Sequence, residues 1–138
     1  MATINAYLAF DGNCCEAMTF YRDCLGGELN LMTVGESQIA AQVPKEKQSS
    51  IMHAALKKGG LTLMACDAMG SYTLRPGNNV SLMLYCETEE EIRTFFSKLA
   101  AGGTINTELK VEFWGSIYGD VTDKFGIRWM FNYDQPKA

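Results

Sequence analysis

Apolar residues dominate positions 4–10 and give way at Asp11-Gly12, the pattern of a short strand closed by a turn. The spacing then changes from a run to a helical period. Ala17, Phe20, Tyr21, Cys24 and Leu25 fall on one helical face, and Gly26-Gly27 marks where that helix stops. Asn13 and Glu16 predict its start as a capping box, the Asn13 side chain accepting from an amide near Glu16 while the Glu16 carboxylate reaches back. Residues 29–34, 51–56 and 61–66 read as three further strands, and 35–50 as a polar connection containing Pro44. A strand at 79–86 follows, then Thr88-x-x-Glu91 as a capping box and Ile92, Phe95, Phe96 and Leu99 as the apolar face of a second helix ended by Gly102-Gly103. Strands at 104–109, 111–118 and 127–133 complete the chain, with 122–126 as the turn before the last and 69–76, including Gly70, Ser71 and Arg75, as a hinge.

The two halves repeat one another. Phe20-Tyr21 answers to Phe95-Phe96, Gly26-Gly27 to Gly102-Gly103, and the Gly-Leu-Thr-Leu-Met of 60–64 to the Gly-Ile-Arg-Trp-Met of 126–130. A unit this long, seen twice, is too large for a solenoid repeat and predicts an α+β fold of two tandem β-α-β-β-β modules, about residues 3–68 and 78–134, within a single domain spanning 1–138. Such modules are expected to form a curved sheet around a cleft.

Composition narrows the classes. With 47% hydrophobic and 20% charged residues the chain is an ordinary globular one, able to fold without staples. A net charge of −4 with scattered lysines gives no electrostatic footprint for nucleic acid. Five cysteines, odd in number and without C-x-x-C spacing, argue against a disulfide framework or a zinc knuckle and fit reduced thiols. The first residues lack a basic region followed by an apolar run, so neither signal peptide nor membrane span is expected and the protein is read as cytoplasmic.

The stretch Asp-Gly-Asn-Cys-Cys-Glu-Ala-Met-Thr-Phe-Tyr at 11–21, set in this tandem pattern, resembles the vicinal oxygen chelate superfamily of glyoxalase I, bleomycin-resistance proteins and extradiol dioxygenases. Phe10 to Cys14, His53-Ala54, Met64, Asp67-Ala68-Met69, Phe113-Trp114-Gly115, the Val-Thr-Asp-Lys-Phe-Gly of 121–126 and Trp129-Met130 are similar to its PhnB-like subfamily, which often bears the label 3-demethylubiquinone 3-methyltransferase. The residues do not support that label: a methyltransferase on a doubly wound sheet needs a glycine-rich strand-to-helix turn, whereas both double glycines here follow helices. The resemblance implies paired modules, a small-molecule cleft and a homodimer.

It also implies where a metal would sit in metal-dependent members, at strand-one and strand-four positions that become Ile4, Met64, Asn79 and Met130. Hard divalent ions want oxygen ligands, and zinc or iron wants imidazole, thiolate or carboxylate. One amide oxygen and two thioethers complete neither set, and two methionines that could suit Cu(I) read as core residues, so no cofactor is expected. A divalent metal enters only under the alternative of a lyase, isomerase or dioxygenase with a displaced site drawn from His53, Asp67, Asp120 or a partner subunit.

The remaining candidates line the expected cleft. Strand alternation puts Ile127, Trp129 and Phe131 toward the helix and Arg128, Met130 and Asn132 toward the cleft. Arg128 has two readings: a guanidinium that grips a carboxylate or phosphate, or a brace paired with Asp67, Asp120 or Asp123. His53, the chain's one imidazole, is either an acid–base group or a hydrogen-bonded structural residue matching Gly119 in the repeat. Trp114, Tyr118, Tyr85, Phe10, Met83 and Asn79 are candidate walls, while Cys66 and Cys86 read as packing residues. The function expected is binding of a small organic molecule, anions among the candidates, without metal. The metal-dependent enzyme is one alternative, and a resistance protein sequestering a cationic drug is the other.

Overall fold

The computed structural model describes residues 1–70 and 72–136; Ser71, counted above with the hinge, lies outside them. The chain divides into two compact units, Met1–Arg75 and Pro76–Ala138. Each is a β-α-β-β-β arrangement. The first contains β1 (Ala6–Phe10), α1 (Cys14–Leu25), β2 (Glu28–Thr33), β3 (Ile51–Lys58) and β4 (Leu61–Asp67). The second contains β5 (Leu82–Tyr85), α2 (Glu89–Ala100), β6 (Thr104–Val111), β7 (Ser116–Thr122) and β8 (Arg128–Asp134). Their sheets run β1-β4-β3-β2 and β5-β8-β7-β6. In both, the first strand lies parallel beside the last and the other neighbours are antiparallel.

Alternation along the strands separates two faces. In the first unit Leu63, Ala65, Ala54 and Leu56 are buried beneath α1, whose Ala17, Met18, Tyr21, Cys24 and Leu25 form the other half of the core. The second buries Ile117, Val121, Trp129 and Phe131 beneath Ile92, Phe96 and Leu99 of α2. Tyr21 and Phe96, each the eighth residue of its twelve-residue helix, are buried, whereas Phe20 and Phe95 are only half-buried. Phe96 meets Phe131 edge-on at 5.2 Å between ring centroids. A side chain at Gly119 would put its Cβ 2.9 Å from the Phe96 ring, so glycine there lets the helix seat on the sheet.

The start of α1 departs from the capping box expected of Asn13 and Glu16. Asn13 has φ −114° and ψ 22°, away from the extended geometry a capping residue needs, and its side chain makes no cap bond. The buried carboxylate of Asp67 does that work from the end of β4: Oδ1 accepts from the Cys14 amide at 2.9 Å and Oδ2 from the Ile51 amide at 2.8 Å. Each such charged hydrogen bond contributes about 1.5–3 kcal/mol. At α2, Thr88 Oγ1 accepts from the Glu91 amide as expected, but the Glu91 carboxylate accepts from Glu87, one residue earlier than a full box requires.

Other differences lie at strand ends. Residues 111–118 are not one strand: β6 runs through Val111, and the amide of Glu112 donates to the Ser116 carbonyl at 2.7 Å to close a turn with Gly115 at φ 95°. Ile4 and Asn79 precede β1 and β5 and are exposed. The polar connection holds three 3₁₀ turns, Val34–Glu36, Ala40–Gln42 and Lys45–Lys47, the first opened by a capping box of Thr33 and Glu36.

The contrast within the aromatic pair of α2 is open to measurement. Truncating Phe96 to Ala should cost about 3–5 kcal/mol in urea unfolding, as for a buried aromatic, and truncating Phe95 clearly less. Equal losses would contradict the burial assigned to the two rings.

Candidate functional site

The face of the second sheet that α2 does not cover gathers most of the candidate residues of this unit. Cross-strand register places Thr122 opposite Arg128, Asp120 opposite Met130, and Tyr118 opposite Asn132, while on the other side of β8 Met83 pairs with Met130 and Tyr85 with Asn132. Arg128, Met130, Asn132, Tyr118 and Tyr85 thus share one face with Met83 and Asp120. Asp120 is 2% exposed. Its Oδ2 accepts from the Tyr118 hydroxyl at 3.0 Å and lies 3.4 Å from Arg128 Nη2. Of the three carboxylates considered as a brace for Arg128, this is the one it meets. Asp67 is occupied by backbone amides, and Asp123 accepts from the amides of Phe125 and Ile127 and from Trp129 Nε1.

The cluster is incompletely bonded. Both contacts to Asp120 use Oδ2, leaving Oδ1 buried without a hydrogen-bond partner, and Arg128 Nε is buried and unpartnered as well. An unmet buried polar atom costs about 1–3 kcal/mol. Burial raises the pKa of the Tyr118 phenol, reinforced by its hydrogen bond to Asp120 and that group's charge, with Arg128 opposing. Tyr118 therefore stays a donor.

The uncovered face of the first sheet holds His53. It pairs with Met32 across β2 and β3, and its Nδ1 lies 3.2 Å from the Tyr7 hydroxyl. Burial raises the Tyr7 pKa, and the neighbouring Cys66 side chain adds to the rise. The two rings are within hydrogen-bonding distance, and the ring nitrogen that carries the proton sets which of them donates. Register aligns His53 with Tyr118 rather than with Gly119: Ala54 pairs with Ala65 as Gly119 pairs with Phe131, both on helix-covered faces. Tyr7 was not among the candidates, although the alternation that buries Phe10 puts Tyr7 on the opposite side.

Other anticipated wall residues lie elsewhere. Phe10 is buried, and its partner Asp67 places it on the α1 side. Asn79 is outside the strands. Trp114 sits in the β6–β7 turn, edge-on to the exposed Phe113 at 4.9 Å. It borders a depression of about 400 Å³ with Gly115, Ser116, Asp134, Gln135 and Pro136. Asn132 is turned toward that end, its amide donating to Asp134 Oδ1 at 2.9 Å, where Ser116 Oγ also donates. Those two bonds lower the Asp134 pKa. Cys14 and Cys86 are buried thiols whose pKa values burial pushes up to about 12, with the charges of Asp67 and Glu91 adding to the respective shifts.

Register also revises the positions expected of a metal. Tyr7, not Ile4, lies beside Met64, and Met83, not Asn79, beside Met130. One pair offers a phenol and a thioether, the other two thioethers. Neither suits Mg²⁺, Mn²⁺ or Zn²⁺. The described residues contain no group of three or more His, Cys, Asp or Glu side chains disposed to hold an ion. No described helix is long and apolar enough to cross a membrane.

Comparison with known proteins accords with this architecture. The sequence profile of the Glyoxalase/Bleomycin resistance protein/Dioxygenase superfamily matches residues 3–131. Protein YjdN of Escherichia coli K12 is 35% identical, the match covering 94% of this chain and 93% of that protein. The crystal structure of protein PA1353 from Pseudomonas aeruginosa superposes with a TM-score of 0.87 at 36% identity, over 99% of this chain and 100% of that one. A Bacillus cereus PhnB protein, described as a putative 3-demethylubiquinone-9 3-methyltransferase, superposes with a TM-score of 0.73 at 28% identity, over 96% and 99% of the two chains.

Two measurements test the site's electrostatics. Replacing Arg128 by Met leaves a buried carboxylate without its counter-charge. A loss of about 1–3 kcal/mol is expected, below the usual range for a buried pair because the guanidinium is partly exposed. Asp120→Asn in the same background should recover part of it, and an additive double-mutant cycle would show that the pair is not coupled. The second is alkaline. Cys14 and Cys86 bind their protons more tightly folded than unfolded, so their contribution is intact below pH 9 and lost as pH rises from about 9 toward 12. The urea midpoint should fall across that window, and less steeply in Cys14→Ala/Cys86→Ala; identical slopes would contradict the assignment.

Proposed function

Because the chain belongs to the Glyoxalase/Bleomycin resistance protein/Dioxygenase superfamily, we propose that it uses the uncovered face of its second sheet to bind a small organic molecule. The observation that carries this reading is the unmet hydrogen-bonding capacity of Asp120 and Arg128, set among the thioethers of Met83 and Met130. A few convergent polar groups in soft apolar surroundings are what small-molecule sites offer. Tyr118 fixes the orientation of Asp120, and Tyr85 flanks the face at its exposed edge.

Binding in this proposal needs no divalent metal, since the donors beside Met64 and Met130 are a phenol and a thioether. The methyltransferase name of the Bacillus cereus neighbour is not carried over. The two strand-to-helix junctions, Asp11-Gly12-Asn13 and Cys86-Glu87-Thr88, contain one glycine between them, and neither resembles the glycine-rich turn that admits a nucleotide-like cofactor.

Native mass spectrometry of freshly isolated protein, followed by an unbiased melting screen, tests the proposal. A ligand at a hundredfold excess over Kd stabilises by about 2.7 kcal/mol. The stabilisation should survive chelator and disappear in Met130→Trp, which fills the face. A chelator-sensitive shift would overturn the metal-free reading, and a shift unchanged in Met130→Trp would move the site elsewhere.

A further inference from the structure

The bonding at Asp120 and Arg128 constrains what the ligand is. Oδ2 of Asp120 takes both the Tyr118 hydroxyl and Arg128 Nη2, so the atom left over on the acid is an acceptor, and the atom left over on the guanidinium, Nε–H, is a donor. The 3.4 Å separation of Nη2 and Oδ2 is longer than a charge-assisted hydrogen bond usually is, and the Arg128 side chain is 39% exposed, so the pair is loosely joined and meets solvent on the Arg128 side.

We propose, resting on the reading that this face binds a small molecule, that the ligand is electrically neutral there and presents a hydrogen-bond donor and an acceptor on neighbouring atoms, as a primary carboxamide or a urea does. The donor meets Asp120 Oδ1 and the acceptor meets Arg128 Nε. The two protein charges cancel, which removes the reason to prefer an ion. A carboxylate that reached Arg128 would stand against Asp120, and an ammonium or amidinium that reached Asp120 would stand against Arg128. An anionic ligand would need Arg128 unopposed, and the buried Asp120 stands beside it. Met130 lies directly opposite Asp120 in the ladder, with Met83 beside it, so the group bearing the amide rests on polarizable thioethers.

Three near-isosteric probes separate the possibilities: benzamide, benzoate and benzamidine, titrated to millimolar concentration into the full chain. The readouts are the Arg128 Nε–H resonance, assigned by its loss in Arg128→Lys, and the Met83 and Met130 methyl resonances. Benzamide should move all of them and bind at least about tenfold more tightly than either ion, and Arg128→Lys, which keeps the charge but lacks Nε, should weaken benzamide about tenfold by the methyl readout. If benzoate or benzamidine moves the same resonances at equal or lower concentration, the face is a binding site but the neutral class is wrong. If no probe moves them, the proposed ligand class falls, and the melting screen with its Met130→Trp control decides the binding reading separately.

Discussion

A four-stranded sheet has two faces, and each unit of this chain has a single twelve-residue helix to pack on them, so one face of every sheet lies beneath a helix and the other does not. Alternation along the strands turns that into a rule for sequence. Leu63, Ala65, Trp129 and Phe131 answer to packing beneath a helix, while Met64, Arg128, Met130 and Asn132, one residue removed in each strand, are released from it. Asp120, Arg128 and His53 stand on the released side.

Three buried carboxylates show the two outcomes side by side. Asp67 accepts from two backbone amides, and Asp123 from two amides and the Trp129 indole, so both are structural groups with their acceptors used. Asp120 has a phenol and a guanidinium on one oxygen and nothing on the other. The difference follows from position. Asp67 lies at the end of β4 and Asp123 just beyond β7, where backbone donors await partners, whereas Asp120 lies inside β7, where the ladder has already consumed the amides around it.

The repeat, the order of elements and the helix-facing residues of β8 were legible because each depends on periodicity or on helix-stopping glycines. Arg128 was legible as a choice between roles, with Asp120 among its three possible partners, since alternation gives the face but not the rotamer. Three features were hidden by distance in the chain. The cap of α1 comes from Asp67 and not from the neighbouring Asn13, which only the parallel pairing of β1 with β4 brings about. Tyr7 reaches His53 from another strand. The positions Ile4 and Asn79 missed because the strands begin later than their apolar runs, and register between strands cannot be counted along one of them.

The parallel pairing at the edge of each sheet has a consequence for the order of events on the ribosome. In the first unit Ala6 pairs with Leu63 and Phe10 with Asp67, so the first strand made is held by the last. β1 must wait, with α1, β2 and β3 already outside, until β4 emerges, and α1 waits with it for the carboxylate that caps its first turn. Parallel, non-local pairing is slow to form. A nascent chain ending short of Asp67 would hold a helix without its cap and an apolar strand without its partner.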